Sequence, residues 1–220
     1  MKTINPLVIL AFFAFFSDVF SPIYAQDEAE TDPSAFAQSL DRERPAWLYK
    51  ELEACPADHP GFKTVNKGYS EGFCIDNEDK CLKDCKQSDA IACYSLALGI
   101  QRRDEQMSDL YEALFARACR LGHASGCTNR GAGLSHRDPS DPDAAVCYIA
   151  LYKAACLSDD PWGCTMLGLK LFEGEHIEQD YDEAIKVMSK SCKFGEDDPA
   201  CSAALALEKT IHEERNAAEE

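Results

Sequence analysis

The sequence predicts an all-helical array of short helix pairs, each stapled by a disulfide. Three observations lead there. First, the 220 residues carry twelve cysteines, and eight of them form pairs of regular spacing. Cys85 and Cys93, Cys119 and Cys127, and Cys156 and Cys164 are eight apart, while Cys192 and Cys201 are nine apart. Second, the first members of these pairs advance by 34, 37 and 36 residues, a period that marks a repeat array. Third, apolar residues recur at helical spacing before each first cysteine, as in Leu110, Leu114, Ala118 and Leu121, or Ala184, Val187 and Met188.

The order of segments begins with an export signal. Lys2 precedes an unbroken apolar run over residues 7–16, which Asp18 and Pro22 end. Ile23-Tyr24-Ala25 offers a cleavage site before Gln26, so residues 1–25 read as a secretory signal peptide, too short to span a bilayer. Export to the periplasm or the exterior makes disulfides the first reading of the cysteines. Residues 26–75 form an N-terminal cap segment. Within it, 34–44 and 45–54 read as short helices, the second opening at Pro45 with Trp47 and Leu48 to bury, and 56–72 reads as loop.

Residues 76–208 hold the array, and 209–220 read as a charged, solvated tail. Gly122 and Gly195 fall where a left-handed residue ends a helix. Asp160-Pro161 and Asp198-Pro199 supply an N-cap followed by proline at the first helical position. Each cysteine pair therefore brackets a tight connection. Closing a loop of about nine residues contributes roughly 2.5 kcal/mol by the chain-entropy estimate. Four positions past the second cysteine stand Ala97, Gly131 and Gly168, small enough for close helix approach, whereas the last copy has Leu205. Residues 174–179 and Asp180 separate the two helices of the third copy. Cys55, Cys74, Cys81 and Cys147 allow three full pairings. Of these, Cys55–Cys74 ties off the loop, with Cys147 at the register of Leu110 suited to a free thiol acting as a buried hydrophobe.

Ala118-Cys119-Arg120-Leu121-Gly122 followed by Gly126-Cys127 and Gly131 resembles the Sel-one-like repeat, a relative of the tetratricopeptide repeat. The regular cysteine pairs resemble its secreted, cysteine-rich Hcp-type branch. The likeness runs from Cys85 to Cys201. It departs at Arg130, where other copies have Leu96, Leu167 and Ala204, and at Ala203-Ala204-Leu205 in the last copy. The resemblance implies a right-handed α-solenoid whose concave face binds a peptide, a peptidoglycan-derived fragment or another protein. Some members of that branch are described as penicillin-binding proteins or weak β-lactamases, which is the alternative function for this chain.

Composition narrows the partners. A formal charge of −17 and a pI near 4.6 lack the cationic footprint that phosphate backbones or anionic lipids require. Nucleic acid is excluded as a partner, and no membrane insertion is expected after signal cleavage. Two, six and nine residues past the second cysteine share one helical face. They are Ser95, Gly99 and Arg102, then Asn129, Gly133 and His136, then Met166, Lys170 and Glu173. Arg102, Asn129, His136, Met166 and Lys170 are the candidate binding residues, with Arg102, Asn129 and Lys170 suited to a peptide backbone or carboxylate.

No catalytic residue is assigned. A serine β-lactamase needs Ser-x-x-Lys with Lys-Thr-Gly, and no such pair occurs. Gly68-Tyr69-Ser70-Glu71-Gly72 spells a nucleophile elbow but lacks the strand that motif requires. The five histidines are scattered, and the export signal favours disulfides over zinc at Cys81, Cys85 and Cys93, so neither metal nor cofactor is expected.

Overall fold

The computed structural model describes residues 34–55, 71–103, 106 and 108–219. The expected signal peptide, 1–25, and the expected loop over 56–72 up to residue 70 lie outside them. The described residues are helical and hold no strand. The cap segment contributes α1 (Ala35–Glu43) and α2 (Ala46–Tyr49), which tightens into a 3-10 turn over Lys50–Leu52. Then follow α3 (Glu71–Asp76), α4 (Glu78–Lys86), α5 (Ala90–Arg103), α6 (Ser108–Arg120) and α7 (Ala124–Arg137). The chain finishes with α8 (Pro142–Leu157), α9 (Pro161–Glu173), α10 (Tyr181–Met188), a 3-10 turn over Ser189–Cys192, and α11 (Pro199–Glu219).

The corners are built alike. After Cys85, Cys119 and Cys156 the helix ends through a residue of positive φ: Ser88 at 71°, Gly122 at 94° and Asp159 at 59°. The next residue bends its N–H back to a carbonyl five positions earlier, Asp89 to Asp84, His123 to Ala118 and Asp160 to Ala155, at 2.9–3.1 Å. That is a Schellman ending, and it satisfies carbonyls the helix leaves unpaired. The same three residues cap the following helix. Asp89 accepts from the amides of Ile91 and Ala92, His123 from Gly126 and Asp160 from Gly163. The fourth corner uses Gly195 at φ 102° and the Asp198 carboxylate, which accepts from Ala200.

Disulfides close all four corners. Cys85–Cys93, Cys119–Cys127, Cys156–Cys164 and Cys192–Cys201 are bonded, with Cα atoms 4.4–4.7 Å apart. The expectation for the remaining cysteines is overturned. Cys55 bonds Cys147, 92 residues away, and Cys74 bonds Cys81, so Cys147 is not a free thiol. The reason is local geometry. Residues 71–76 form α3, taking in the last two residues of the expected loop, and run almost directly into α4, setting the Cα atoms of Cys74 and Cys81 5.7 Å apart.

Packing follows the small-residue row. From α4 to α10 each helix packs on its successor, and α9 also packs on α7 and α11. Ala97 is fully buried, and Gly131 lies flat against Tyr152, where a Cβ would meet Cε1 at 2.7 Å. At Gly168 a Cβ would lie 2.2 Å from Met188 Cγ and 3.2 Å from the Ala184 carbonyl. Leu205, at the equivalent place in α11, is 42% exposed. α11 runs on through the charged tail from Lys209, which is only partly solvated. Ile211 is fully buried, Tyr181 donates to Glu214 at 3.1 Å, and Arg215 pairs with Asp182 at 2.7 Å.

The cap docks on α6. Leu48 and Tyr49 are buried, and so is the Glu51 carboxylate, which binds Arg117 at 3.0 Å and Arg120. The Arg117 guanidinium also lies 5.1 Å from the Trp47 ring centroid, within cation–π range.

The approach at Gly168 has a measurable consequence. Gly168→Ala should lower stability by about 1–3 kcal/mol through overpacking against Met188 and the Ala184 backbone. Urea unfolding would show this as a lower midpoint with an unchanged slope, and an unchanged midpoint would contradict the packing described.

Candidate functional site

The nine positions singled out along α5, α7 and α9 do not share one environment. Ser95 and Gly99 are buried, while Arg102 is exposed near the end of α5. Asn129 is half-buried, and its amide donates to the Tyr94 hydroxyl at 3.4 Å. His136 is exposed at the end of α7, and Met166 is half-buried in α9. Lys170 is 9% exposed, its ammonium held by Glu173 at 2.7 Å and 5.5 Å from the Tyr148 ring centroid. Exposure rises toward the C-terminal ends of α5 and α7.

Between these positions α6 and α7 bury polar groups whose pairing the sequence reading missed. Arg130 stands at a leucine register, and its guanidinium pairs with Glu112 of α6 at 2.8 Å, both side chains 5% exposed. Gly133 makes this possible. A Cβ there would lie 1.8 Å from Glu112 Oε1, so the glycine vacates the space the carboxylate fills. Burial pushes the Glu112 carboxyl above its ordinary range, against the pull of Arg130. Burial likewise raises the phenols of Tyr152 and Tyr148. Arg130 itself was the legible signal, since an arginine at a core register needs a buried partner. Its partner, eighteen residues earlier on another helix, was not legible.

A second polar group gathers at the corner before α7. The His123 ring stacks on Tyr94, centroids 4.2 Å apart and planes 18° from parallel, while Nδ1 accepts from the Gly126 amide. Burial lowers the His123 pKa to about 4, with nearby Asp160 acting in the opposite sense. The Asp160 carboxylate accepts from the hydroxyls of Ser125 at 2.6 Å and Thr128 at 2.8 Å, tying this corner to the next.

The chain matches no family model, no curated protein and no solved structure. Its chemistry must be read from these groups. Among the described residues no three His, Cys, Asp or Glu side chains gather as a metal site. The Gly68 to Ser70 part of the elbow motif lies outside the described residues, and Glu71 and Gly72 open α3. Between α5 and α7 the Asn129 amide meets the Tyr94 phenol, while the Arg130 guanidinium is buried against Glu112.

His123 gives the site a pH signature. The folded pKa lies below the ordinary histidine value of 6.5, so the unfolded chain binds the proton first. The stabilisation is complete above pH 6.5 and is lost as pH falls toward 4, by linkage. His123→Asn keeps an acceptor for the Gly126 amide and removes the titration. Between pH 6.5 and 4 the natural chain should lose on the order of 2 kcal/mol more stability than the variant. Parallel acid-unfolding curves of the two chains would contradict the assignment.

Proposed function

We propose that this chain is an exported helical-repeat scaffold of the Sel-one-like type, and that its α5–α7–α9 face binds a carboxylate-bearing peptide. The observation that carries the reading is one helical face on which Arg102 of α5 and His136 of α7 are exposed nine residues past the second cysteine, while Asn129 of α7 and Met166 of α9 are half-buried two residues past it. Six disulfides fit an oxidising compartment, and export to the periplasm or the exterior follows from the signal peptide. The packing of α9 on both α7 and α11 supports a curve with these helices on its inner side, as in a right-handed α-solenoid with a concave groove.

Arg102 and His136 stand out as cationic or polar groups on a chain of charge −17. They favour a ligand with a free carboxylate, such as a peptide C-terminus or a peptidoglycan stem peptide. Lys170 belongs to this face through its contact with Tyr148, although Glu173 already neutralises it. Its part is to position the Tyr148 ring rather than to grip the ligand.

The test is a comparison of labelled peptide pools with free and amidated C-termini by fluorescence anisotropy. The free-carboxylate pool should bind more tightly. Arg102→Ala with Asn129→Ala should weaken that binding about thirtyfold, taking about 1 kcal/mol for each lost contact. The melting temperature should barely move. Equal binding of both pools, or unaltered affinity in the double variant, would contradict the proposal. The same preparation is expected to open a chromogenic cephalosporin no faster than an unrelated exported protein. Turnover that survives purification would favour the β-lactamase reading instead.

A further inference from the structure

We propose that the Cys55–Cys147 bridge is a thiol–disulfide exchange site, at which a solution thiol attacks the Cys55 sulfur and uncouples the cap from α8 while the array stays stapled. The six bridges differ sharply in two respects. Five close loops of seven to nine residues, whereas Cys55–Cys147 spans 92. In those five, nine of the ten cysteines are buried and Cys192 is half-buried, whereas Cys55 is exposed and Cys147 half-buried. Access decides which sulfur a thiolate can reach in line. The bridge between the cap and α8 is the one presented to solvent.

Loop length adds to this. When a corner bridge opens, the Schellman ending and N-cap still hold its two sulfurs together, so it recloses at high effective concentration. Cys55 has no such frame. Its segment is anchored at Glu51, four residues earlier, by Arg117 and Arg120.

The exchange balances with an external thiol as reductant. Its thiolate forms a bond to Cys55 Sγ as the Cys55–Cys147 bond breaks, and the electron pair leaves on Cys147 Sγ, which takes a proton from water. A second thiol resolves the mixed disulfide, so two thiols are oxidised as the bridge gains two electrons. Attack falls on Cys55 because the Cys147 sulfur is partly shielded. With Leu134, Cys147 packs against Cys119, Cys127, Leu151 and Ala155, an apolar seat that accommodates the released thiol. The cap remains docked on α6 through Leu48, Trp47 and Glu51.

The folded full chain treated with 2-mercaptoethanol, an uncharged thiol that the net charge does not repel, tests this directly. Samples are quenched in acid, alkylated and mapped by peptide mass spectrometry, with far-ultraviolet dichroism recorded in parallel. The adduct should appear on Cys55 with Cys147 alkylated, at least about tenfold faster than any other bridge opens. Helix content should stay unchanged. First opening at any other bridge, an adduct predominantly on Cys147, or opening only together with loss of helix would overturn the proposal. So would a fast phase that persists in the Cys55→Ser, Cys147→Ser double variant.

Discussion

The structure depends on one corner, used four times. A helix ends with unpaired carbonyls and the next begins with unpaired amides, and a connection of a few residues must satisfy both. In the fourth corner Gly195 and Asp198 share that task, and in the other three one residue does most of it. Its own amide closes the Schellman ending while its side chain caps the next helix, and the disulfide locks the two ends together. With the corner fixed, the directions of the flanking helices are fixed as well, and the small residues at 97, 131 and 168 then set how closely neighbours approach. Modules with modest cores are thereby held in register by geometry as much as by burial.

The second copy is where the array departs from itself. Three of the four corner caps are aspartate, and this one is His123, kept neutral by burial and stacked on Tyr94 of the preceding copy. The same copy replaces a core leucine with Arg130, and Gly133 leaves the space that Glu112 enters. A buried ion pair is an expensive substitute for a leucine. It sits beside the half-buried Asn129, which places the proposed binding face on α7.

Much of the architecture was legible because covalent spacing and backbone chemistry are local. Cysteines eight or nine apart between two helical patterns have few geometries open to them, and the four corner bridges follow. The left-handed residues at Ser88 and Asp159 were harder to see, since only glycine announces a positive φ. Cys55–Cys147 escaped because nothing local links the cap to α8, and Cys74–Cys81 because α3 was not read as a helix. The binding row was legible as a register, but not as an environment. Helical phase places Lys170 beside Asn129, yet burial and the Glu173 carboxylate change what that lysine can do.

The most direct test of the stapled-corner account is disulfide mapping of the folded chain by proteolysis and mass spectrometry without reduction. The account predicts Cys85–Cys93, Cys119–Cys127, Cys156–Cys164 and Cys192–Cys201 as separate linked peptides. A bond joining two different corners, or free thiols among these eight residues, would contradict it.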